Sequence, residues 1–417
     1  MKKNFLSAWL IYWTSVFLIP VTSIYPARIE AFYLQLVFVV LVLTAYYFVT
    51  FILNFRRVPR SESANIPRSL ALIKLALTMS LLGFIFLVYD KIYIQGIDYS
   101  NGVALAREQW RQLGEDRGDQ ASSVFSLMGY LFGSAYYVAA VLAITQINVL
   151  SATQRFVILA ACFLMVMANS AITGGRSSIL LFGAFIIGAI ASGGGLRFRD
   201  ISGGRIQRWI AILGISSAAW YTASIFSQRA DASMLDGTEY LLEFLPFLGL
   251  APAEWFADLL NAGVLSSASA ILVLAASYMT HSFASTAAIL DGPTEDKTII
   301  FTHFMSILSK LGLANQPDGV WFLSGRFPSF PGALWHQFGW VGFLMGSLLL
   351  GATSAVAKAW AALRPARLLP LGVFVLVDVV LILTPLMFAG DLLSFPFIVV
   401  AFILLTLVEK CLNPRSL

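Results

Sequence analysis

The residues of this chain best suited to handling a charged substrate are five arginines and three histidines, and the arginines make the stronger case. Arg176 stands in Thr173-Gly174-Gly175-Arg176-Ser177-Ser178, a glycine-softened break between two hydrophobic runs. A guanidinium in hydrocarbon costs at least ~2.5 kcal/mol, so Arg176 must be held at a membrane surface or in a polar cavity. Gly174 and Gly175 permit close backbone approach, and Ser177 and Ser178 stand where a following helix begins, with amide groups able to meet an anion. Guanidinium matches paired oxygens bidentately, which suits a lipid phosphate or diphosphate. The competing reading is an interfacial arginine that only snorkels to the headgroups. Arg107 and Arg111 are four apart and share a face if helical. With Arg229 and Arg326 they complete a set of candidate anion contacts.

Histidine is the commonest general base near neutral pH, and His281, His303 and His336 all fall in the second half of the chain. His336 is the best placed, because the proline-rich Arg326-Phe-Pro-Ser-Phe-Pro-Gly-Ala-Leu-Trp-His336 delivers it to the outer end of an apolar run. His303 reads equally as a solvated residue of an amphipathic helix, and His281 as the cap of an apolar segment. Asp231 and Asp318 are the alternative bases. Asp378 lies ~15 Å along an apolar run, where an acid belongs either to a proton path or to a locally neutralised contact. The sequence has no P-loop, no His-Glu-x-x-His, no Gly-x-Ser-x-Gly and no paired metal-ligand spacing, so no metal or other cofactor is expected. Cys162 and Cys411 lie within and at the end of apolar runs, which makes a disulfide framework unexpected.

What must position these residues is a membrane bundle. Of 417 residues, 59% are hydrophobic and 12% charged, too apolar for an ordinary soluble protein. Apolar runs near the length of a bilayer crossing stand at 5–24, 31–54, 70–89, 124–147, 156–173, 178–195, 209–227, 333–356, 369–388 and 392–409, ten in all. The first is expected to be a retained span, since no small-residue cleavage site follows it. With Lys2 and Lys3 inside, the inner loops hold 17 bases against three acids, and the outer segments hold 10 bases against 18 acids. This positive-inside asymmetry places both termini in the cytoplasm and accounts for the net charge of +5 without a nucleic-acid partner.

Two outer segments are long enough to carry function, 90–123 and 228–332, within a single membrane domain of residues 1–417. In the second, Ala251–Leu260 and Thr298–Leu313 pattern as amphipathic helices at the bilayer surface, the first opened by Pro252 with Trp255, Phe256, Leu259 and Leu260 on one side. Residues 264–280 are apolar enough to cross but are expected to pack on the outer bundle, since one more crossing would invert the last three loops.

The Thr-Gly-Gly-Arg176-Ser-Ser motif, the arginine-bearing segment after the third span, the long loop before the eighth and the closing Trp335-His336-Gln-Phe-Gly339-Trp340-Val-Gly342 together resemble the O-antigen polymerase (Wzy) family. The likeness covers most of the chain in layout and only these patches in sequence. It implies an all-α polytopic integral membrane protein similar to the GT-C class of membrane glycosyltransferases, in a bacterial inner membrane, with its active site facing the periplasm. The implied reaction joins undecaprenyl-diphosphate-linked oligosaccharide donor and acceptor amid membrane lipids, commonly with a chain-length regulator as partner. Arg176 is then expected to hold a diphosphate, with Arg107, Arg111, Arg229, Arg326, His281 and His303 as further substrate contacts and His336 as base. Trp255, Trp321, Trp335 and Trp340 are placed either to stack sugar faces or to anchor in the interface. The rival readings are an O-antigen ligase transferring glycan to lipid A core and a non-catalytic transporter or flippase of lipid-linked oligosaccharide.

Overall fold

The computed structural model describes residues 1–53, 66–100, 102–116, 123–146, 150–192, 205–264, 266–292, 300, 305, 326–364 and 367–412. The helices are α1 (Lys2–Leu18), α2 (Arg28–Ile52), α3 (Ile66–Tyr89), α4 (Val103–Asp116), α5 (Val124–Gly133), α6 (Ala135–Thr145), α7 (Ala152–Thr173), α8 (Ser177–Ser192), α9 (Arg205–Ala232), α10 (Gly237–Phe247), α11 (Glu254–Asn261), α12 (Ser267–Asp291), α13 (Phe330–Leu363), α14 (Leu368–Leu383) and α15 (Ser394–Cys411). A π-helical turn, Asp90–Ile94, continues α3.

Seven helical stretches are long and apolar enough to cross a membrane: α2, Leu70–Ile94, Val124–Thr145, α7, α12, α13 and α15. The chain is therefore an all-α protein of membrane type. Six of these coincide with expected spans. Three other expected spans are shorter helices, α1 of 17 residues and α8 and α14 of 16 each. At 1.5 Å per residue each reaches only about 25 Å, just under a hydrocarbon core of ~30 Å. The tenth, within the 28-residue α9, is not among the seven.

Packing fixes the direction of the helices. Phe5 meets Phe38, and Lys2 Nζ donates to the Tyr47 hydroxyl, so α1 and α2 run antiparallel. Phe38 meets Phe330, and Lys358 Nζ donates to the Tyr46 hydroxyl, so α2 and α13 run together. A Cβ on Gly83 would fall 2.1 Å from the Gly133 nitrogen, so the backbones of α3 and α5 touch where neither residue has a side chain. Helix α6 forms the centre of the main core, with Ala135 to Ile144 buried without exception. The helix ends carry local stop and start signals: Ser151 caps α7 in a capping box with Gln154, and Asp236 caps α10 with Glu239.

The ends of α1, α7, α9 and α14 and the starts of α2, α8, α13 and α15 gather at one end of the bundle, which carries Arg176. There Val21–Ser23 pairs antiparallel with Leu250–Pro252, stitching the turn after α1 to the turn between α10 and α11. Pro252 thus ends a strand, and α11 starts at Glu254 rather than at the proline; lacking an N–H, proline is tolerated at such a ribbon edge. Phe256 and Leu260 of α11 point inward while Trp255 is 59% exposed, so the expected four-residue face is split. Helix α12 is long and apolar enough to cross, and it packs on α1, α2, α10 and α13. Ser267 meets Gly237, the Ser282 hydroxyl donates to the Pro385 carbonyl, and Thr286 meets Ser329. Asp378 is fully buried, with Asn4 Nδ2 donating to it at 2.9 Å and the amino group of Met1 3.6 Å away, which favours the neutralised contact over a proton path.

Candidate functional site

The α7–α8 turn is built around Arg176. Helix α7 stops at Gly174, whose φ of +59° is left-handed, and α8 restarts at Ser177, leaving Arg176 between them. Its guanidinium carbon lies 4.1 Å from the Phe226 ring of α9 and 4.7 Å from the Tyr278 ring of α12. Two aromatic rings thus fix a cation that apolar surroundings would otherwise reject. Nη1 of Arg176 is buried and has no hydrogen-bond partner. Burial lowers its pKa to about 10, and the nearby Arg229 and Arg107 add to the lowering against the opposing influence of Tyr278.

Arg107 approaches from α4 and donates to the Gly174 carbonyl. Its pKa is lowered first by burial and then by Arg229. Arg229 sits in the last turn of α9 beside Tyr240, whose hydroxyl is pushed up by burial and drawn partly back by that arginine. Two helices and the α7–α8 turn therefore bring three guanidinium groups near enough to act on one another. Among the described residues no carboxylate forms an ion pair with any of them. Arg111 behaves differently: it is exposed and pairs with Glu108 at 2.9 Å, so the face it shares with Arg107 in sequence divides between solvent and site.

A second group adjoins the first across Tyr278. The His281 ring lies 5.0 Å from that of Tyr278. His281 Nδ1 bonds the Tyr278 carbonyl and Nε2 accepts from the Phe327 amide at 3.2 Å, which defines a neutral ring with both nitrogens occupied. His281 is a brace between α12 and the approach to α13. Arg326 stacks over Phe247 at 5.3 Å and reaches the Tyr25 hydroxyl at 3.3 Å.

His336 is buried one turn past Gly332, which packs on Thr286 of α12. His303, Trp321, Asp318 and most of 298–313 lie outside the described residues. Asp231 is exposed. Trp335 and Trp340 pack on each other and on Phe343 beside a break in α13 at Gly339. Among the described residues no three His, Cys, Asp or Glu side chains converge as a metal site would require.

Several residues at the site carry no signal in the amino-acid sequence. Phe226 and Tyr278 are aromatic positions in apolar helices, indistinguishable there from core. Asp90 and Lys91, both fully buried, owe their placement to the π turn: Ser123 donates to Asp90, and Lys91 lies 3.7 Å over the Trp110 ring. Trp110 itself, three residues after Arg107 on α4, was within reach of helical spacing.

Chemically the cluster can receive an oxyanion bearing more than one negative charge and stabilise charge that develops on it. No family model, curated protein or solved structure matches this chain.

Proposed function

We propose that the protein polymerises undecaprenyl-diphosphate-linked oligosaccharide units at the outer face of a bacterial inner membrane. In this reading the acceptor sugar hydroxyl of the incoming unit attacks the anomeric carbon of the nascent chain. The new glycosidic bond forms as the bond to the lipid diphosphate breaks. The electron pair leaves on the diphosphate, and the hydroxyl proton passes to a base, for which His336 is the sequence's candidate. The observation that carries the reading is the convergence of Arg107, Arg176 and Arg229 without a described carboxylate partner, which suits a departing diphosphate. In this reading Arg326, held between Phe247 and Tyr25, meets the second lipid diphosphate.

The test is complementation of a strain lacking the gene by Arg176→Ala, with protein level measured. Loss of long chains, leaving single capped repeat units, supports the polymerase. Wild-type chain lengths remove the site. Long lipid-linked chains left unattached in the deletion strain point to the ligase reaction instead, and failure of the purified protein to elongate lipid-linked units points to the transporter.

A further inference from the structure

Beside Arg107 lies an open pocket of about 150 Å³, lined by residues of α3 to α8 and the start of α15. Its lining includes Arg107, Trp110, Tyr130, Asn169, Ser178 and Ser394. Arg107 is the only charged residue among the described lining, and the rest of the polar surface is hydroxyl and amide. At ~30 Å³ per water the space equals roughly five waters, enough for one polar ring.

Asn169 stands one turn before the end of α7 and is only 7% exposed; its amide meets the Tyr136 hydroxyl, and as oriented its Oδ1 has no hydrogen-bond partner. A buried carbonyl oxygen left without a donor costs ~1–3 kcal/mol, so this atom asks for an N–H or O–H from whatever fills the cavity. A cation would find no carboxylate here, and a second anion would find only Arg107. A polyol fits, because each of its hydroxyls donates to an acceptor such as Asn169 and accepts from the surrounding hydroxyls. Arg107 is the common wall, belonging to the cation cluster on one side and to this neutral chamber on the other. That sequence of charged then neutral surface matches a diphosphate joined to a sugar.

We propose that the cavity is the subsite for the sugar attached directly to the lipid diphosphate, with Asn169 Oδ1 accepting a hydrogen bond from a sugar hydroxyl or acetamido N–H. The proposal rests on the diphosphate reading of the arginine cluster, and its test separates the two. Purified protein in lipid nanodiscs is titrated with undecaprenyl diphosphate and with its glucosyl, galactosyl and N-acetylglucosaminyl diphosphate derivatives. Wild type is expected to bind at least one derivative roughly tenfold more tightly than the bare diphosphate. Asn169→Leu is expected to abolish that difference while leaving the bare diphosphate affinity unchanged, which also shows that the variant is folded. Should Asn169→Leu bind neither ligand, the smaller Asn169→Ala is read in the same way. Equal affinities for bare and glycosylated lipids in wild type, or a preference that survives in both variants, overturn the subsite. Absence of any binding of the bare diphosphate to wild type overturns the underlying reading instead.

Discussion

Arg107 donates to the carbonyl of Gly174, and its side chain fills the space where a Cβ on Gly174 would stand, 2.6 Å from the Arg107 Cβ. The glycine is required twice over, once by its left-handed φ of +59° and once by this contact. Gly174→Ala is therefore expected to displace Arg107 and to cost about 1–3 kcal/mol of stability. Thermal unfolding measures the second effect, and shortened glycan chains at normal protein level report the first.

Arg176→Lys keeps the charge but loses the flat surface that lies between Phe226 and Tyr278. Diphosphate affinity is expected to fall by ~1–2 kcal/mol, on the order of tenfold, although the site remains cationic. A lysine variant that binds as wild type does would show that only the charge matters.

Burial lowers the Arg176 pKa to about 10, so the folded protein gives up this proton before the unfolded chain does. The cost of confining the cation is full below that pH and declines above it, and diphosphate binding runs the opposite way. Once the terminal phosphate is fully ionised, above about pH 7, affinity for undecaprenyl diphosphate is expected to be level and then to fall as pH climbs through about 10. A profile that stays flat beyond that point means Arg176 does not meet the phosphate.

His281→Ala removes a ring that holds both the Tyr278 carbonyl and the Phe327 amide. About 1–3 kcal/mol of destabilisation is expected from leaving those groups unpaired. The pH dependence of polymerisation is expected to keep its shape, since a ring with both nitrogens engaged takes no proton from substrate. A shifted profile would make His281 the base.

Arg111→Ala is expected to leave chain length intact and stability within ~0.5 kcal/mol of wild type, because the pair it forms with Glu108 is exposed. Substrate binding and melting temperature, measured together, check both halves.

The glycine-flanked arginine was legible because it interrupts two apolar runs, and interruption is something a linear pattern records. Convergence with Arg107 and Arg229 was anticipated only as a set, since contacts between helices leave no trace in spacing. Asn169, Phe226 and Tyr278 stayed hidden for a related reason: inside an apolar helix a residue turned to a cavity and one turned to the core look alike. Arg111 shows the converse, a residue whose four-residue spacing from Arg107 is real but whose surroundings differ. The apolar stretch read at 264–280 extends to Asp291 as α12, long and apolar enough to cross a membrane, so the sequence expectation that it does not cross rests on the loop charges alone.

The short ribbon joining Val21–Ser23 to Leu250–Pro252 spans more than half the chain in sequence. During synthesis the first hairpin must wait, its strand edge unpaired, until residue 252 has left the ribosome. Closure over so long a loop is slow. The ribbon is thus completed late, and a ribosome stalled before that point leaves the strand after α1 without its partner.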